Sequence, residues 1–141
     1  MKNKTLVLLS LLLLFSCNKV KKVEKKIAGN WTVISYTFQN STGLSYKYNC
    51  EGEFSFDNCS EEFCPYLFSF TYQVNGTSTT KQSKGLYQIE KDAEYFTFLR
   101  ENNDGTISKL EDNRILLLTR DEFKMLIQDE DGVHHFVLEK N

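Results

Sequence analysis

Several kinds of residue are scarce in this 141-residue chain, and each scarcity removes a class of chemistry. Only two histidines occur, His134 and His135, and they are adjacent. Neighbours in a strand point to opposite faces, so these two cannot chelate one ion together. Cysteines stand at positions 17, 50, 59 and 64, without the C-x2-C knuckle of a structural zinc site. The acidic turns ending at Gly105 and Gly132 lack the ligand spacing of an EF-hand. No metal or cofactor is therefore expected. No motif supplies a nucleophile together with a base and an orienting carboxylate, so the chain does not read as an enzyme. No repeat, low-complexity segment or long helical pattern is present. The longest apolar run, Leu6 to Phe15, is too short to span a bilayer as a helix.

What is abundant points to a pleated fold. The chain holds 11 Phe and 7 Tyr against one Pro and two Met. Aromatics with threonine and valine favour half-buried strand surfaces over helices. The formal charge of −2 hides a segregation. Residues 18–26 carry five lysines and one glutamate, whereas residues 27–141 carry 10 basic and 18 acidic side chains. An acidic body of this kind argues against nucleic acid as a partner.

The N-terminus runs Lys2, Lys4, then the apolar stretch, then Ser16 and Cys17, the order of a secretory signal. Leu14-Phe15-Ser16-Cys17 resembles the lipobox of bacterial lipoproteins, with Phe15 where a small residue is usual. The resemblance implies removal of residues 1–16 and a lipid on Cys17, which ties the chain to a membrane. About 125 residues then remain, a one-domain length. The lysines that follow can rest against anionic head groups or act as a soluble spacer. Asn18 and the basic residues after it imply the periplasmic face of the outer membrane. In an oxidising compartment, Cys50, Cys59 and Cys64 should form one disulfide and leave one thiol, with three pairings open.

Val20, Val23 and Ile27 recur at helical spacing before Gly29, which predicts a short helix within the 17–29 tether. From Asn30 the period becomes two. Thr32, Ile34, Tyr36 and Phe38 alternate against Trp31, Val33, Ser35 and Thr37. Further strands pair Phe54 with Phe56, Phe68 with Phe70 and Tyr72, Tyr87 with Ile89, and Phe96 with Phe98. Ile115 to Leu118, then Phe123-Met125-Ile127, then Phe136-Leu138 complete eight strands joined mostly by short turns. His134 shares the parity of Phe136 and is expected inside; His135 is expected outside. Segments 59–65 and 106–114 fit loop, helical turn or strand extension equally. Eight antiparallel strands suffice to close a barrel over residues 30–141, which also removes exposed edges.

Ala28-Gly29-Asn30-Trp31 resembles the G-x-W signature of lipocalins, and residues 115–140 are similar to the close of small bacterial lipocalin-like lipoproteins. The resemblance implies an all-β, antiparallel eight-stranded lipocalin-like barrel preceded by a short helix, with Trp31 plugging its closed end. The candidate lining is Tyr36, Phe38, Phe54, Phe56, Phe68, Phe70, Tyr72, Tyr87, Phe96 and Phe98. Such rings suit a small apolar or flat ligand, although large rings also fill a barrel of this size. The expectation is a monomeric, non-catalytic binding module with a filled or small-cavity interior. The alternative is a protein-interaction or inhibitor module acting through its loops, with the Cys50–Cys64 region as the candidate.

Overall fold

The computed structural model describes residues 19–90 and 92–141. The signal segment, Cys17 and Asn18 lie outside the described residues. Helix α1 (residues 19–27) leads into β1 (Gly29–Asn40), β2 (Ser45–Tyr48), β3 (Cys50–Phe56), β4 (Cys64–Val74) and β5 (Thr77–Ile89). β6 (Tyr95–Glu101), β7 (Ile107–Leu118), β8 (Glu122–Gln128) and β9 (Gly132–Lys140) follow. All pairings are antiparallel; β3 to β9 pair in sequence order, and β9 returns to pair with β1. β2 and β3 both pair with one edge of β1, at Tyr36–Gln39 and Gly29–Thr32 respectively. They are two halves of a single barrel strand broken at Asn49, whose carbonyl still accepts from the Gln73 amide at 3.1 Å. The result is a closed eight-stranded antiparallel barrel, as the alternation predicts.

Closure demands strong local bending, and glycine permits it. A Cβ on Gly52 (φ 153°) would sit 2.3 Å from the Ser69 carbonyl oxygen, and one on Gly85 (φ 156°) 1.9 Å from that of Leu99. Bulges complete the bending. One between Val33 and Ser35 reverses the parity of β1, so Trp31 and Val33 below it and Tyr36 above it are all buried. Simple alternation set Ile34 on the face of Tyr36; the bulge instead turns Ile34 outward, 53% exposed. A second bulge separates Phe96 from Phe98, and buried Asn113 spans the irregularity. Its amide donates to the Phe96 and Leu110 carbonyls at 3.1 and 2.8 Å, and its oxygen accepts from the Gln128 amide at 3.0 Å.

One end of the barrel is shut. Ile27 is buried in the core, with Val20 and Val23 packed beside it. The exposed face of α1 carries Lys19, Lys21, Lys22, Lys25 and Lys26. Trp31 donates its indole N–H to the Ile27 carbonyl at 2.7 Å and meets Phe123 edge-on at 5.7 Å. Lys140 lies 4.8 Å over the Trp31 ring and donates to the Lys26 and Ala28 carbonyls at 3.1 and 2.8 Å. A cation thus caps the negative end of the helix and stacks on the plug.

The segments read ambiguously from sequence resolve here. Cys59 and Cys64 form a disulfide that closes a short loop, and β4 starts at Cys64. Cys50 is the leftover thiol, half-buried, with burial pushing its pKa up. Residues 107–114 extend the expected short strand into the twelve-residue β7.

Candidate functional site

The inner face changes character along the barrel axis. At the closed end, Trp31, Phe56, Tyr87, Phe96, Phe98, Phe123 and Leu138 are all buried. Tyr87 donates its hydroxyl to the Asp57 carbonyl at 2.8 Å, and burial, with Glu24 and Asp57 adding to it, pushes its pKa up to about 12. Above this layer Phe54 stacks on Phe68 at 4.7 Å and meets Phe136 edge-on at 5.1 Å. This half of the barrel is a solid aromatic core.

The opposite end is open. A cavity of about 390 Å³ is lined by Tyr36, Phe38, Asn40, Tyr48, Tyr72, Val74, Lys81, Asp131 and His134. A smaller space of about 90 Å³ lies against Phe68, Phe70, Ser83, Phe98, Arg100, Leu110 and Asp129, among others, and shares Lys81 and His134 with the mouth. Tyr36 stands at the centre of the aromatic wall, with ring centroids 5.0 Å from Phe70, 5.2 Å from Tyr72 and 5.0 Å from Phe136.

A buried polar row runs through this wall. His134 places Nε2 3.0 Å from Asp129 Oδ1 and Nδ1 3.0 Å from the Tyr36 hydroxyl. In the neutral ring, an N–H at Nε2 donates to the carboxylate and leaves Nδ1 to accept from the phenol. The same Asp129 oxygen accepts from the Asp131 and Gly132 amides at 3.0 and 3.3 Å. Burial pushes the Asp129 carboxyl up, but the His134 hydrogen bond, its charge and the two amides outweigh that and hold the pKa below its usual value. Burial drives the Tyr36 phenol far above its ordinary range, with Tyr72 and Tyr48 reinforcing the shift. His135, on the other face of β9, has its pKa lowered by burial and by the neighbouring His134. Among the described residues, no buried side-chain nitrogen or oxygen lacks a partner.

The ten expected lining residues therefore divide. Tyr36, Phe38 and Tyr72 border the mouth, and Phe68, Phe70 and Phe98 border the inner space. Phe54, Phe56, Tyr87 and Phe96 are buried and border neither cavity. The alternation of rings did not single out Tyr48, Lys81, Ser83, Arg100, Asp129 or Asp131. Lys81 and Ser83 belong to the first half of β5, where the inward set Thr79-Lys81-Ser83 is polar and gives no hydrophobic period. The available signal was the Asn75-Gly76 hairpin, which places Thr79, Lys81 and Ser83 opposite Tyr72, Phe70 and Phe68.

No family model and no curated protein matches the chain. Among solved structures, it is similar to a designed protein, described as a de novo fluorescence-activating beta barrel. That likeness has 14% identity and a TM-score of 0.46, and covers 81% of this chain and 93% of the designed one.

Proposed function

We propose that this protein is a non-catalytic, lipid-anchored binding module that holds a small, flat, apolar ligand in the barrel mouth. The observation that carries this reading is the 390 Å³ opening walled by Tyr36, Phe38, Tyr48, Tyr72 and Val74 above a solid core. Rings already held by one another offer their faces without the cost of ordering flexible side chains. The internally satisfied Tyr36–His134–Asp129 row supports a binding role over a chemical one: a phenol held protonated by burial is a poor nucleophile.

The neutral dye N-phenyl-1-naphthylamine provides the test. It should bind one to one with enhanced fluorescence, and Val74→Trp, which fills the mouth, should weaken binding at least tenfold. Unchanged binding by the tryptophan variant would place the dye elsewhere and end this reading.

Anchoring rests on the lipobox resemblance at Leu14–Cys17 and on the lysine-rich helix that follows within two residues. A lipid on Cys17 would hold the protein at the periplasmic face of the outer membrane. Palmitate labelling of the full chain in a Gram-negative host should give a labelled band that Cys17→Ser abolishes. A band retained by that variant would refute the anchor.

A second reading, a protein partner, is favoured by one feature of the outer wall. Leu67, Leu86 and Ile107 are 54%, 40% and 60% exposed, and together with Pro65 and Leu99 they border one shallow depression across β4 to β7. This surface lies on the strands rather than on the disulfide loop.

A further inference from the structure

The upper interior of the barrel is two-sided, and its second side is cationic. β1, β2, β4 and β9 contribute Tyr36, Phe38, Tyr48, Phe70, Tyr72 and Phe136. β5 and β6 contribute Lys81, Ser83 and Arg100. Lys81 stands opposite Phe70 in register and borders both cavities. Arg100 stands opposite Gly85 and borders the inner space. Its charge is felt at the neighbouring Tyr66 phenol, drawing the pKa down against a larger upward push from burial.

The acidic groups nearby are mostly occupied. Asp129 borders the same inner space, with its Oδ1 held by His134 and two backbone amides. Glu101 pairs with Lys84 at 3.3 Å, and Asp131 forms a loose pair with Lys81 at 4.0 Å in which both side chains are exposed. Among the described residues, Arg100 has no carboxylate within ion-pair distance. Arg100 is half-buried, and a partly desolvated cation without a counter-charge is costly unless a bound group supplies one. The inner space has room for a few atoms only, the size of a head group, and it shares Lys81 and His134 with a mouth large enough for fused rings.

We infer that the ligand is a flat apolar organic acid, its anionic group lodged between Lys81 and Arg100 and its rings against Tyr36, Phe38, Tyr48 and Tyr72. This rests on the mouth-binding reading and names the chemical class that the reading leaves open. The hydroxyls of Ser83 and Tyr66 stand beside the same space, hydrogen-bonded to each other at 2.8 Å, so one of the two retains an O–H to donate to the anion.

A matched pair of probes tests the charge separately from the rings. 1-Anilinonaphthalene-8-sulfonate carries the same ring system as N-phenyl-1-naphthylamine with an added anion. The sulfonate should bind at least tenfold more tightly, the size of effect expected from one charge-assisted contact of about 1.5 kcal/mol. Lys81→Gln with Arg100→Gln should reduce that preference to under threefold, whereas Arg100→Lys, which keeps the charge, should retain most of it. Equal affinity for the two probes would overturn the acid specificity while leaving mouth binding intact. A preference that survives the double variant would place the anion elsewhere and overturn it as well. Failure of both probes to bind would remove the mouth-binding reading and this inference together.

Discussion

Asp129 is the residue whose environment has the clearest measurable consequence. Its pKa in the folded protein is depressed, with burial opposing and the His134 contact and two amides prevailing. A group with a depressed folded pKa stabilises the fold above its unfolded value, near 3.9, and loses that contribution as pH falls through the folded value. Urea midpoints should therefore fall below about pH 4, in addition to the loss from about pH 6.5 downward that the lowered His135 pKa contributes. Asp129→Asn should flatten that fall, because its amide no longer titrates. An identical acid slope in the variant would show that other carboxylates govern it. None of this was legible from sequence. Asp129 reads there only as part of the acidic turn ending at Gly132, and His134 as an inward residue without a named partner. Their pairing depends on the turn folding back five residues to reach the imidazole.

Among the elements, β1 and its neighbours show what alternation can and cannot convey. The period of two located this strand, but it assigned Trp31 and Tyr36 to opposite faces. The bulge at Val33/Ser35 brings both inside, and no local composition marks it. β5 was only half visible, because Thr79, Lys81 and Ser83 face the interior without being apolar. α1 was legible from the spacing of Val20, Val23 and Ile27, since one stripe of a short helix needs no distant partner to be recognised. Its attachment was not. Lys140, 112 residues beyond Ala28, fixes the helix end and covers the Trp31 ring. Lys140→Ala removes two charge-assisted hydrogen bonds and a cation–π contact, and should lower stability by about 1–3 kcal/mol. Chemical denaturation checks this, and an unchanged midpoint would make the contact incidental. The disulfide divides in the same way. Three cysteines predicted one bond and one thiol, while the choice of Cys59–Cys64 waited on the β3–β4 geometry.

At the scale of the whole molecule, the barrel is asymmetric along its axis. Its closed pole carries the plug, the disulfide loop and the lysines of α1; its open pole carries the aromatic mouth and the Tyr36–His134–Asp129 row. In the proposed anchored state, residue 17 lies two residues before α1, so the closed pole faces the bilayer and the mouth faces away from it. Barrel closure was legible because eight amphipathic strands joined mostly by short turns have few other ways to bury one face. The cavity was not, because eighteen aromatic rings can as easily fill a barrel as line one. Rings do fill its lower half.

The most direct measurement is an NMR titration with N-phenyl-1-naphthylamine of protein isotopically labelled in its Phe, Tyr, Trp and His rings and its leucine methyls. Ligand binding in the mouth predicts saturable shifts at Phe38, Tyr48, Tyr72 and His134, with Trp31 and Phe123 unmoved. Shifts confined to the surroundings of Leu67 and Leu86 on the outer wall, with silent mouth residues, would contradict it.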